Sequence, residues 1–159
     1  MVPTTEGALD RLVPLRDESA LSIESFRWMY RFWHDARGTA PCPGPEAIDP
    51  LRFPPGMLPY LILLAVEASP RRFLVRLAGD AVNEETGVAV AGRYADELPN
   101  SQEICERFNW CVDNALPYMV TAPVTWSSRN YRTYSALTLP FGDGPQIARL
   151  LQVFHFHPT

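Results

Sequence analysis

The sequence predicts an α+β fold, a small antiparallel sheet with short helices over one face and an extra helix ahead of it. Three observations point there. Residues 61–67 and 72–79 are apolar runs joined by Ala68-Ser-Pro-Arg71, the pattern of a β-hairpin. Residues 80–116 then show glycine-punctuated helical spacing. Residues 118–157 give three strand-like runs with short connections, which suits a sequential meander.

A chain of 159 residues suits one domain, read here as residues 19–159 behind a loose leader over 1–18. Hydrophobic residues make up 47% and charged residues 20%, an ordinary globular balance. The net charge is −4 and the arginines are scattered, so no nucleic-acid partner is expected. No apolar run approaches the ~18 residues of a membrane span, and the N-terminus lacks the apolar core of a signal peptide. The expectation is a cytoplasmic protein with no membrane contact. Cys42, Cys105 and Cys111 form an odd, sparse set without C-x-x-C spacing. That favours reduced thiols over a disulfide framework or a structural zinc site.

Taken in order, residues 19–37 carry the clearest helical pattern. Ser19 or Ser22 can cap its start and Gly38 stands past its end. Ile23, Phe26, Met29, Tyr30 and Trp33 make one apolar stripe, and Arg31 and Asp35 are spaced to pair across a turn. Packing on the chain's own sheet explains that stripe. The sharper reading makes Phe26, Trp28, Met29, Tyr30 and Trp33 the contact surface of a homodimer, because aromatics favour interface cores. Seven prolines between residues 38 and 59 exclude a long helix and leave short turns at 45–49 and 51–58.

The run 61–67 is continuously apolar, as in a strand covered on both faces. In 72–79 the alternation puts Phe73, Val75 and Leu77 on one face and Leu74, Arg76 and Ala78 on the other. Arg76 is therefore expected in an apolar neighbourhood. There it would need a carboxylate or carbonyl partner, or would hold an anionic ligand group. Asp80 opens a short helix that Gly87 ends, and residues 94–98 make a second brief helical piece. Residues 101–116 make a third, with Ile104, Phe108, Cys111 and Val112 roughly on one stripe. The closing strands are expected over 118–126, 131–140 and 147–157. Pro123 implies an edge or a bulge in the first, and Gly142-Asp-Gly144-Pro145 turns the chain between the last two.

With those residues in place the chain resembles a PAS-like family of mostly alphaproteobacterial proteins, formerly known only as a domain of unknown function. The likeness covers about residues 20–156. It rests on Trp33, Ile48-Asp49-Pro50, Leu58-Pro59, Phe73-Leu-Val-Arg76-Leu-Ala-Gly79, Gly87, Gly92-Arg93 and Leu137-Thr-Leu-Pro140. The apolar Val88-Ala-Val-Ala91 departs from the polar turn usual between Gly87 and Gly92. The resemblance implies a five-stranded antiparallel sheet of order 2-1-5-4-3 with helices over one face. It also implies a sensory role, often as a dimer.

The chemistry-bearing residues are few. His155 and His157 share a strand face but lack an evident third metal ligand. His34 stands near a helix C-terminus, and no base is spaced to activate a cysteine. No catalytic residue, metal ligand or cofactor is assigned. The expectation is a stand-alone sensory or regulatory module that binds a small molecule or a protein partner and signals in trans. Its pocket candidates are Phe73, Val75, Arg76, Leu77, Tyr94, Phe108, Leu137 and Leu139. The alternatives are a small cone-shaped α+β enzyme with acid–base chemistry in an apolar pocket, and a ligand-free interaction adaptor.

Overall fold

A computed structural model describes residues 7–128, 132–143 and 145–158. Residues 1–6 of the expected leader, Tyr131 of the expected strand and Gly144 of the expected turn lie outside the described residues. The elements in chain order are β1 (Val13–Pro14), α1 (Glu24–Arg37), β2 (Leu61–Glu67), β3 (Arg72–Ala78), α2 (Asp80–Thr86), α3 (Gln102–Asn114), β4 (Tyr118–Pro123), β5 (Thr133–Asp143) and β6 (Gln146–Phe156). All strand pairings are antiparallel, in one sheet of order β1-β4-β5-β6-β2-β3. The last five strands of that order are the expected sheet. To them the chain adds a sixth, β1.

That sixth strand comes from the leader, which from Gly7 on is not loose. Ala8–Arg11 form a 3-10 turn, and Val13 and Pro14 pair with Met119 and Tyr118 of β4. The Leu15 N–H donates to the Pro117 carbonyl at 2.9 Å, and Ala8, Leu12 and Leu15 are buried. Burying these apolar side chains is the physical reason the segment docks.

The sheet is covered twice. Side chains alternate along a strand, so Tyr134, Ala136 and Thr138 of β5 face one layer and Ser135, Leu137 and Leu139 the other. All six are buried. The first layer is α2, the 3-10 turn Ala95–Glu97 and α3. The second is α1 with the 3-10 turns Pro45–Ala47, Pro50–Arg52 and Pro55–Tyr60.

Helix α1 begins at Glu24, later than the serines suggested, and Ile23 stands at its N-cap without a side-chain bond. Gly38 ends it at φ 57°, a left-handed value that suits glycine. Its stripe faces the chain's own sheet. The Trp33 indole N–H donates to the Pro140 carbonyl at 2.7 Å. Arg31 does not pair with Asp35. It takes Glu18 in a two-bond contact at 2.6 and 2.8 Å, because residues 16–20 fold back over the helix.

In the hairpin the register slips between Leu63 and Leu64. Leu63 opposes Leu77 while Leu64 opposes Val75, which leaves Arg76 as the extra residue of a bulge. The outer edge of β3 is covered by residues 92–94: Val75 N–H donates to Arg93 O at 2.9 Å and Gly92 N–H to Val75 O at 2.7 Å. Gly79 has no room for a side chain, since a Cβ there would sit 2.1 Å from the Pro59 carbonyl oxygen.

Trp33→Phe keeps most of the ring but orphans the Pro140 carbonyl. A loss of about 1–3 kcal/mol is expected in urea denaturation, the cost of an unsatisfied buried polar group. An unchanged midpoint would show that α1 does not depend on this bond.

Candidate functional site

A small apolar cavity of about 40 Å³ lies between the sheet and the α2–α3 layer. Leu64 and Val75 line it from β2 and β3, Val82 from α2, and Ile104 and Phe108 from α3. Val90 closes it from the apolar segment after Gly87, which explains why that segment is not a plain exposed turn. Gln152, Tyr134 and Trp126 are its lining residues with polar side-chain groups, and no carboxylate or histidine lines it among the described residues. Gln152 Nε2 donates to Thr138 Oγ1 at 3.0 Å across the two central strands. At this volume the cavity has room for about one water molecule.

Of the eight pocket candidates, Val75 and Phe108 line this cavity, and Phe73 packs edge-on against Phe108 at 5.2 Å between centroids. The other five do not meet there. The bulge at Arg76 reverses the alternation, so Leu77 turns to the opposite face and is 57% exposed. Arg76 is exposed as well, and no buried partner is needed. Leu137 and Leu139 are buried on the α1 side, out of phase with Tyr134.

Tyr94 lies outside the cavity, at the edge of β3. Its hydroxyl donates to Glu67 at 2.8 Å, and the Arg72 guanidinium stacks 3.7 Å above its ring. Arg72 also grips Asp96 through two 2.8 Å bonds, which hold the Asp96 carboxyl below the usual carboxylate range. This staple ties residues 94–97 to the hairpin.

A buried arginine does exist, on α3 rather than on a strand. Arg107 is 3% exposed. It donates to the Ala8 carbonyl of the leader at 3.3 Å, and the exposed Glu103 carboxylate stands 3.8 Å away. It also lies beside the Tyr134 hydroxyl. Burial raises the Tyr134 pKa, and the Arg107 charge and hydrogen bond oppose that rise. Arg107 therefore joins the leader to a residue of the cavity wall. The Glu103–Arg107 spacing suggests a pair on a helix surface, and its burial is not legible because the carbonyl it bonds lies 99 positions away.

The dimer candidates are largely consumed by the core. Phe26, Met29, Tyr30 and Trp33 are buried in their own chain, which leaves them no surface for a partner. Trp28 is half-buried, stacked on Phe32 at 5.8 Å with both rings edge-on to Phe53. His155 is exposed, its ring 5.0 Å from that of His157, whose Nε2 shares a 2.8 Å bond with Ser135 Oγ. Among the described residues no group of three or more His, Cys, Asp or Glu is placed to hold a metal ion. The three cysteines are free thiols, and burial pushes Cys42 up to about 11 and Cys111 well above the ordinary thiol range. No helix among the described residues is long and apolar enough to cross a membrane.

Comparison with known proteins follows the same lines. A family model described as PAS domain matches residues 21–151. Among solved structures, an RNA-binding light-oxygen-voltage receptor is 14% identical over 91% of this chain, with a TM-score of 0.49. This chain spans 37% of that receptor's length. A fungal LOV domain photoreceptor is 16% identical over 86% of this chain and 94% of its own, with a TM-score of 0.48. No curated protein matches.

The contrast between the two arginines is testable by thermal or chemical melting. Arg76→Ala is expected to change stability by less than about 0.5 kcal/mol, as for an exposed side chain. Arg107→Ala is expected to cost about 1.5–3 kcal/mol through its lost charged hydrogen bonds, before any packing loss. Equal effects would contradict this placement of the buried charge.

Proposed function

The chain belongs to the PAS domain family, and from that premise we propose that it is a sensory or regulatory module. In this reading a small apolar molecule or a protein partner shifts the packing between the sheet and the α2–α3 layer. The observation that carries it is the small apolar cavity with Tyr134 in its wall and the charge of Arg107, which bonds the leader, close to Tyr134. A ligand shifts an equilibrium only by its differential affinity for the two states. The cavity is small, so any larger occupant must displace its lining, and Tyr134 is where displacement reaches Arg107 and Ala8. The leader then becomes the output, held while Arg107 is in place and loosened when it moves.

A second reading, an adaptor that binds protein through its sheet, has its own support. Leu58 and Leu77 stand exposed around an apolar groove of about 210 Å³ on the face opposite the cavity, and Leu51 beside it is 94% exposed. We place homodimerisation and a cytoplasmic location within the same proposal, with this groove rather than the α1 stripe as the contact.

Xenon under pressure, followed by NMR, probes the cavity directly. The expected result is shifts at Leu64, Val75 and Phe108 together with faster amide exchange at Leu12 and Leu15. Leu64→Ala should cost about 2–5 kcal/mol and strengthen the xenon response by enlarging the space. Xenon shifts in the cavity with an unmoved leader would refute the coupling. No cavity response in either protein would refute the sensor reading and favour the adaptor.

A further inference from the structure

A second cleft, unrelated to the apolar cavity, opens where the leader, the C-terminal end of α1 and the α3–β4 connection meet. It measures about 460 Å³, the size range of small-ligand sites. Leu15, Trp33, Pro41 and Leu116 give part of it apolar walls, Tyr30 and Asn114 line the rest with polar groups, and Arg16 and Arg37 bring two positive charges to it.

Neither arginine has a carboxylate partner among the described residues. Of the acids nearby, Asp17 and Glu18 have partners of their own. Asp17 accepts from the Ser19 hydroxyl and N–H, and Glu18 takes Arg31. Asp35 stands beside His34. The Arg37 guanidinium is pre-positioned, 5.6 Å from the Trp33 ring centroid with Nη1 donating to Ala40 O at 3.1 Å. Its Nε is enclosed and has no hydrogen-bond partner, an expensive state for a charged donor. The rest of the partly exposed guanidinium offers its charge and remaining N–H groups to the cleft. The backbone next to Arg16 is anchored, because Leu15 is buried and bonded to Pro117.

We propose that this cleft binds a small organic carboxylate, its charged end between Arg16 and Arg37 and its apolar body against Leu15, Pro41 and Leu116. The apolar walls favour an organic acid over a bare inorganic anion, which would leave them wet. The site needs the leader docked, so an occupant would also hold the leader down. The proposal stands independently of the cavity reading above.

Sodium benzoate is the probe, titrated into the full chain at fixed ionic strength by calorimetry and NMR. The expected result is saturable binding with shifts at the Trp33 indole N–H and the Ala115 and Leu116 amides. Arg16→Gln and Arg37→Gln should each weaken it about tenfold or more, the usual effect of losing a charged hydrogen bond. Arg16 is exposed, so its variant decides the matter even if Arg37→Gln fails to fold. Inorganic phosphate should bind at least tenfold more weakly than benzoate. Equal phosphate binding would overturn the organic-acid assignment. No saturable benzoate binding, undiminished binding by Arg16→Gln, or shifts centred on Val75 and Phe108 would overturn the site.

Discussion

Strand β5 is apolar on both sides: Leu137 and Leu139 are buried toward α1, and Tyr134 and Ala136 toward α3. β6 repeats the pattern with Leu150, Leu151, Val153 and Phe154. Such a pair of strands cannot face water on either side without exposing a large apolar area. Everything else in the fold answers that constraint. Helix α1 and the proline-rich turns close one face, and α2, α3 and the turn between them close the other. The leader completes the arrangement by covering the β4 edge and the flank of α3.

The same constraint explains where ligand space exists. The α2–α3 layer is built from short helices and an apolar loop, which pack less completely than one long helix would. A small hollow remains under Val82, Val90 and Phe108. On the opposite face α1 reaches only the central strands, so Leu63 and Leu77 at the β2–β3 end are left lining an open groove. The two faces are thus unequal, one enclosing a cavity and the other presenting a surface.

Much of this was legible in the residues. β2 begins and ends where its apolar run does, Gly87 and Gly38 end their helices, and the three closing strands pair in sequence. Phe108 and Val75, both offered as pocket lining or core, stand in the cavity wall. What could not be read was anything that depended on a bulge or on distant partners. One extra residue at Arg76 reverses the β3 alternation and sends Leu77 outward, and a bulge leaves no mark in a run that reads as a regular alternation. No local pattern marks Arg107 as buried, because the leader carbonyl it bonds lies 99 positions upstream. Ala8, Leu12 and Leu15 are too sparse among prolines and acids to announce a strand. Their burial is decided by the flank of α3 and β4, which no local pattern reveals.

If the two-faced sheet governs the fold, α1 is part of one cooperative unit with β5 and β6 rather than an appendage. Native-state hydrogen exchange measures this directly. The account requires the α1 amides around Met29 and Trp33 to open with the same free energy as Leu137, Leu139 and Val153. Exchange of α1 at a much lower free energy, with the central strands still protected, would contradict it.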